Sequence, residues 1–459
     1  TPTAAKKAQL SPIFTVLAAG SALVSDGYQN NVMSLLNTLF AKRYGSKVYT
    51  SDVSTRVSNS LTVGTILGQV IVGVVCDRIG RKAAIVIASV LLCIGAIFAT
   101  GAAPIHGSTN ALFWWLTVAR GCIGVGVGAE YPASSSSASE AASERYSRKT
   151  RSTVFILCTN LVLSLGGPIA SSYFLIILSA TSYTGEQSPE QNARKLDIIW
   201  RLCFGFGALL PLSVFYFRIK MLTTKLYAES AIKHNVPYWL AVKRYWPRLI
   251  GTLGAWFLYD FVAFANSAFS STVIATVVDN PTLKRTAEYQ LLLGAIALPG
   301  AILGAYAVRY LGSKWLLIAG FTGYIIIGLI VGLAWDHIIK IPALFVVLYG
   351  LLASFGNFGP GSVMGLVSSD CYPTALRGTF YGLSAAVGKV GGVVGTEVFK
   401  PVQAHGKKYT FIVAACCGVV GVLLAFFFVP DTTRFDLAEQ DKEWEQYLVR
   451  NGWDHVVGE

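Results

Sequence analysis

Arg120-Gly-Cys-Ile-Gly124-Val-Gly-Val-Gly128-Ala-Glu130-Tyr131-Pro132-Ala-Ser-Ser-Ser-Ser-Ala-Ser-Glu140 continues an apolar run that is long enough to cross a bilayer. Gly124 and Gly128 are four residues apart, so in a helix they share one face and let a neighbouring helix approach closely. The same helix carries Glu130. Placing an ionisable side chain near mid-membrane costs about 2.5–3.5 kcal/mol, so an acid at that depth is a functional candidate that faces protein rather than lipid. A small-residue face and a buried acid on one segment point to a helix inside a membrane bundle.

The rest of the chain agrees. Only 13% of its 459 residues are charged and 53% are hydrophobic, whereas a soluble domain carries about 25% charged residues. Apolar runs between charged or Pro/Gly-rich breaks give twelve candidate spans, at 12–36, 57–76, 83–102, 111–133, 152–180, 197–217, 249–277, 288–308, 314–334, 341–367, 375–399 and 409–429. Lys6 and Lys7 lead straight into the first, so no cleavable signal peptide is expected. Lys and Arg are denser in the segments that lie inside when both termini are cytoplasmic, which sets that orientation. The net charge of +13 is dispersed among short loops rather than gathered into a stripe, so it reads as a topology signal and not as a nucleic-acid surface. The eight cysteines lie in or beside spans without metal-ligand spacing and read as small apolar residues.

The longest break, 218–248, separates six spans from six. The expected organisation is an N-terminal half over 1–217, a cytoplasmic linker over 218–248, a C-terminal half over 249–430 and a cytoplasmic tail over 431–459. Within the linker, Tyr238, Trp239, Leu240, Val242, Tyr245 and Trp246 alternate with basic residues, as in a helix lying on the inner membrane surface or in an ordinary basic linker. The two halves carry a degenerate repeat. Gly73-Val-Val-Cys-Asp77-Arg78-Ile-Gly80-Arg81-Lys82 follows span two, and Gly304-Ala-Tyr-Ala-Val308-Arg309-Tyr-Leu-Gly312-Ser-Lys314 follows span eight. In such a loop one glycine admits a close helix approach, the acid meets a helix N-terminus or an arginine, and the second glycine holds a tight turn.

Six plus six spans, the G-x-x-x-D-R-x-G-R-K loop, Arg120 at the start of span four and Pro430-Asp431-Thr-Thr-Arg434 after span twelve resemble the major facilitator superfamily. That likeness implies an all-α membrane protein of twelve helices. Val24-Ser-Asp26-Gly-Tyr28-Gln-Asn30, Gly128-Ala-Glu130-Tyr131-Pro132, Trp256-Phe-Leu-Tyr-Asp260-Phe261 and Gly388-Lys389-Val-Gly391 are similar to the phosphate:proton symporter branch. Glutamate stands at 130 where the inorganic-phosphate carriers have aspartate, and glycine at 361, in Asn357-Phe-Gly-Pro360-Gly361, where they have a substrate-binding asparagine. Cys158-Thr-Asn160-Leu-Val-Leu-Ser164 also lacks their glutamine and tryptophan. These losses make a roomier pocket. With Asn266-Ser-Ala-Phe269-Ser-Ser and Gly395-Thr-Glu-Val-Phe-Lys400-Pro401, they look like the fungal glycerophosphodiester (glycerophosphoinositol) permeases of that branch.

The resemblance implies import of a phosphodiester with co-transported protons and no bound cofactor, by a monomer in the plasma membrane. A phosphodiester is a monoanion, and moving one negative charge inward costs about 2.3 kcal/mol per 100 mV, which a proton cancels. Lys389 is the expected phosphate ligand, or else the structural partner of a buried acid. Asp26, Glu130 and Asp260 are the candidate proton sites; Asp260 can equally be a counter-ion for Lys389 or a headgroup contact. Tyr28, Asn30, Tyr131, Asn357 and Phe264 complete the expected substrate site. Pro132 is expected to break its helix where irregular backbone lines a cavity. Gly73, Asp77, Arg78, Gly80, Arg81, Arg120 and Glu140 are the expected gating or motif residues, with Glu144, Arg145, Arg148, Lys149 and Arg151 forming a charge set beside Glu140.

Two readings stay open beside this one, an inorganic phosphate:proton symporter and a non-transporting nutrient sensor. A phosphodiesterase needs a metal cluster or an activated nucleophile, and the five histidines fall in loops or the tail with no metal-ligand set, so neither an enzyme nor a metal site is expected.

Overall fold

A computed structural model describes residues 23–79, 81–145, 148–219, 237–277 and 282–453. Among them the regular structure is helical. In chain order the helices are α1 (Leu23–Tyr44), α2 (Ser51–Ile79), α3 (Arg81–Thr100) and α4 (Thr109–Arg145). Helix α5 comprises Arg148–Ile156 and Val162–Ala180 joined by a π-helical turn at Leu157–Leu161, and is followed by α6 (Pro189–Ile219) and α7 (Tyr238–Val277). Leu283–Leu333 bends at Gly312 into α8 before it and α9 after it. Helix α10 is Pro342–Gly356 and Ser362–Asp370 around a second π-helical turn at Asn357–Gly361. Then come α11 (Thr374–His405), α12 (Lys408–Phe428) and the amphipathic α13 (Leu437–Arg450).

The glycine face of α4 meets α2. A Cβ on Gly124 would overlap the Leu61 carbonyl and one on Gly128 the Thr65 carbonyl, so only glycine permits this backbone-on-backbone seam. Equivalent pairings set α1 along α5, α7 along α11, and the α8–α9 unit along α10 and α12. Large apolar side chains such as Ile94, Ile97, Val118, Leu303 and Phe427 face outward, as surfaces that lipid covers do. Eight helical segments are long and apolar enough to cross a membrane. Over their described residues α1, α2 and α11 fall short of that standard. They carry polar side chains, Asn30, Asn31, Ser58, Asn59, Lys389 and Thr396 among them, that line the central cavity.

Several expectations are corrected. Pro132 does not break α4, which runs on from Thr109 to Arg145; in an apolar environment the freed backbone groups have no better partner than the continuing helix. The irregular backbone lies instead in the two π-helical turns. Arg120 does not open its helix but sits well inside α4. The aromatic and basic stretch from Tyr238 belongs to α7, continuous through Pro247, with Trp239 and Trp246 exposed and Tyr245 packed on Tyr372 and Trp444. The remainder of the expected linker, 220–236, lies outside the described residues. So do Gly80 and the side chains of Gly73, Asp77, Arg78, Arg81 and Glu140.

The second repeat copy is resolved. Gly312 takes φ +78°, a left-handed turn that favours glycine. Val308 stands where the first copy has its acid, and the carboxylate at this turn comes from the post-α12 segment. Asp431 accepts hydrogen bonds from the Ser313 and Thr433 amides (3.1 and 3.3 Å) and hydroxyls (3.1 and 2.7 Å), capping the start of α9. Burial alone would raise the Asp431 pKa, but the bonds from Thr433 and Ser313 outweigh it and hold the carboxyl below its usual range. A depressed carboxyl contributes stability above its unfolded pKa of about 3.9 and loses it as pH falls through the lower folded value. Detergent-solubilised Asp431→Asn is therefore expected to melt lower than wild type at pH 7 and to show a shallower loss of Tm below about pH 4. Parallel acid limbs in the two melting curves would contradict this.

Candidate functional site

A cavity of about 290 Å³ lies at the centre of the bundle, walled by residues of α1, α2, α4, α5, α7, α8, α9, α10 and α11. Its charged pole is built by α7 and α11. Gly391 and Gly395 lie against the carbonyls of Phe257 and Phe261, so α11 is drawn onto α7. This contact places Lys389 opposite Asp260. The Lys389 ammonium donates to Asp260 Oδ2 at 2.7 Å, and both side chains are almost wholly buried. The same nitrogen lies 4.6 Å from the Phe264 ring centroid and 5.3 Å from that of Tyr131, within reach of cation–π attraction. Tyr381 donates to Ser135 Oγ at 2.8 Å and packs edge-on against Trp256, closing this pole.

A buried ion pair stays neutral while it is closed, and opening it exposes a cation and an anion to whatever enters. An incoming anion can take the lysine N–H groups that the carboxylate now holds. Lys389, Tyr131, Asn357, Phe264, Asn30 and Asp260 all line this cavity, and so does Arg120, whose Nε donates to the Val57 carbonyl of α2 at 2.9 Å. Asp260 is the counter-ion of Lys389, the pairing that had been one of several for each. Asp26 and Glu130 are fully buried but do not reach the lining. Tyr28 is displaced from the substrate site altogether. Its hydroxyl donates to the Cys203 carbonyl of α6 at 2.7 Å and its ring packs on Phe206.

The cavity face of α1 is Gly27, Asn30, Asn31 and Ser34, an i, i+3, i+4, i+7 stripe. Asp26 and Tyr28 flank that stripe and miss the lining, which Leu23, Met33 and Asn37 also join. The stripe itself is visible in sequence as the small and amide positions of an otherwise apolar helix. Also unforeseen was Asn160, at the π-helical turn of α5, which donates to the Asn357 carbonyl and Ser362 Oγ of α10 at 3.0 and 3.1 Å. The two irregular turns thus meet across the cavity. Pro360 supplies a local cause for the second, since it has no amide to continue the α-helical pattern.

Both ends of the cavity are closed by contacts between α1–α6 and α7–α12. On the face where α13 lies, Arg151 donates to Asp370 Oδ2 at 2.8 Å and Ser139 to Oδ1 at 2.9 Å. There α13 adds Gln440, bonded to the Asp370 carbonyl, and Asp441, which accepts from the Thr374 amide and hydroxyl at the start of α11. Arg151 belongs to the expected charge set; its partner Asp370 had not been singled out. On the opposite face Ser34 meets Ser270 and Ser271, Lys400 pairs with Asp52, and Asn59 bonds Glu397 and Thr396.

Among the described residues, a helical bundle around a central cavity whose mainly apolar wall holds a buried lysine–carboxylate pair defines a multi-pass membrane transporter, and the chain belongs to the sugar (and other) transporter family, whose pattern it matches over residues 13–444. It is 52% identical to the glycerophosphoinositol permease 1 of Candida albicans over 98% of this chain and 84% of that one. It is 47% identical to the glycerophosphoinositol transporter 1 of Saccharomyces cerevisiae over 99% of this chain and 86% of that protein. Among solved structures, the proton:xylose symporter XylE bound to 6-bromo-6-deoxy-D-glucose superposes with a TM-score of 0.75 at 18% identity, over 95% of this chain and 99% of that one, a likeness of fold.

Proposed function

We propose that this chain is a proton-coupled symporter that imports glycerophosphodiesters, glycerophosphoinositol first among them, by alternating access. The observation that carries the reading is the Lys389–Asp260 pair on the wall of a cavity closed at both ends. The diester phosphate takes the lysine N–H groups, and Asp260, released from its counter-ion, takes the proton. The inward movement is then electrically neutral with one proton per monoanion. Asp26 and Glu130, buried behind the wall, are the further proton sites of the cycle. The names of the two fungal relatives support the diester. We further assign twelve membrane spans in two six-helix halves, α1–α6 and α7–α12, both termini on the cytoplasmic face, a plasma-membrane location and action as a monomer.

The test is uptake of radiolabelled glycerophosphoinositol into proteoliposomes under an imposed proton gradient, competed by glycerophosphocholine and by inorganic phosphate. Gradient-driven uptake blocked by diesters and barely by inorganic phosphate is the expected result. The reverse competition would return the chain to the inorganic-phosphate carriers. Gly361 provides a second arm, because it lines the cavity with no spare space: a Cβ there would lie 2.9 Å from the Tyr259 hydroxyl, 3.1 Å from the Gly356 carbonyl and 3.2 Å from Asn160 Oδ1, so a larger side chain must push into the cavity or displace them. Gly361→Asn is expected to lower diester uptake about tenfold or more by filling the cavity, while inorganic phosphate, being smaller, still enters.

A further inference from the structure

Five of the amides that line the cavity share an orientation, whereas Asn37, Asn59 and Gln290 are held by side-chain hydrogen bonds through their oxygens. Asn30, Asn31, Asn160, Asn266 and Asn357 come from four helices, and all five line the space. Each spends its Nδ2 on a main-chain carbonyl. Asn30 donates to Asp26 at 2.9 Å, Asn31 to Gly27 at 2.8 Å and Asn266 to Val262 at 2.9 Å, all one helical turn back. Asn160 donates to the Asn357 carbonyl at 3.0 Å and Asn357 to Ala297 at 3.1 Å. A side-chain amide whose nitrogen is tied to backbone turns its oxygen the other way. Among the described residues, the Oδ1 atoms of Asn30, Asn160 and Asn357 accept no hydrogen bond. Those of Asn31 and Asn266 receive only long ones, 3.5 Å from Ser267 and 3.4 Å from Tyr349.

We infer that these five asparagines form an acceptor-lined subsite for a polyhydroxylated headgroup, opposite in chemistry to the lysine pole that takes the phosphate. The inference rests on the diester reading above and adds the part of the substrate that the ion pair leaves undefined. Carbonyl oxygens fixed by helix geometry match ligand hydroxyls as donors, and a site built to receive hydroxyls discriminates strongly against a ligand that lacks them. An inositol ring brings a donor in every direction around its rim. A choline headgroup brings no O–H or N–H donor, so where it fills the space it leaves the acceptors it covers unpaired.

Asn30→Ala and Asn357→Ala test this from two helices, read as half-saturating concentrations for glycerophosphoinositol and glycerophosphocholine in the same proteoliposomes. Each variant is expected to raise the value for glycerophosphoinositol about five- to tenfold, the loss of one or two hydrogen bonds, and that for glycerophosphocholine by much less. Because the choline diester is carried by the same folded molecules, it serves as the folding control. Equal losses for both diesters, or no loss for either, overturn the subsite while leaving diester transport standing. A wild-type protein that carries inorganic phosphate and no diester overturns the functional reading and the subsite together.

Discussion

Lys389→Gln is expected to abolish gradient-driven uptake, lowering the initial rate at least a hundredfold, and also to lower the melting temperature of the purified protein. The two effects have separate causes. Lys389 and Asp260 are buried and 2.7 Å apart, and removing one member of such a pair leaves an uncompensated charge, at a cost of about 3–5 kcal/mol. Asn in place of Asp260 removes that stranded charge, so the double variant Lys389→Gln/Asp260→Asn is expected to recover most of the lost melting temperature. It is not expected to recover uptake, since the cation that receives the phosphate is still missing. If the double variant regained transport with stability, the pair would be a structural staple and the anion would be recognised elsewhere in the cavity.

The second large effect is expected at the closed end beneath α13. Asp370 is fully buried and receives Arg151, Ser139 and Ser369. Asp370→Ala removes the carboxylate that Arg151 and Ser139 hold in the closed arrangement, a loss not felt in one where that end opens to water. A destabilisation of about 3 kcal/mol in one state only changes the equilibrium by about a hundredfold. Measured with the native cysteines replaced and a single cysteine at Met364, which lines the cavity, labelling by an impermeant thiol reagent applied from the α13 face should accelerate accordingly. Uptake should fall, because the open state no longer gives way. An unchanged labelling rate would mean that the charge pair does not hold that end shut.

How far the sequence carries depends on what physics demands of each feature. Lipid requires long apolar helices, and the runs at 83–102, 152–180 and 409–429 find counterparts in α3, α5 and α12. The glycines at 124 and 128 announced a close helix contact but not its partner, since any helix can supply the carbonyls; α2 does. Lys389 stood out as an isolated cation in an apolar helix. Which of three acids it meets depends on the helix register that Gly391 and Gly395 impose, and that is a property of two helices together. Tyr28 misled because residue type was weighed without its angle around α1, where Gly27, Asn30, Asn31 and Ser34 are the positions that face inward. Asp370 escaped notice because an acid near a helix end looks like any solvated charge until its long-range partner is known.

The glycine seams also say what can move. α4 rests on α2, α5 on α1, α11 on α7 and α10 on α8 with backbone against backbone, as the positions of Gly124, Gly27, Gly391 and Gly300 require. Surfaces in such intimate register cannot slide by an ångström without collision, so each set of helices is a stiff block. Between the blocks α2 also packs along α11, but the contacts that close the two ends are serine pairs, an Asn–Glu contact and ion pairs, which water can replace bond for bond. Rocking of two hard shells along a wettable seam therefore requires no helix to deform, and the flexibility needed for turnover is confined to side chains that end in a hydroxyl, an amide or a charge.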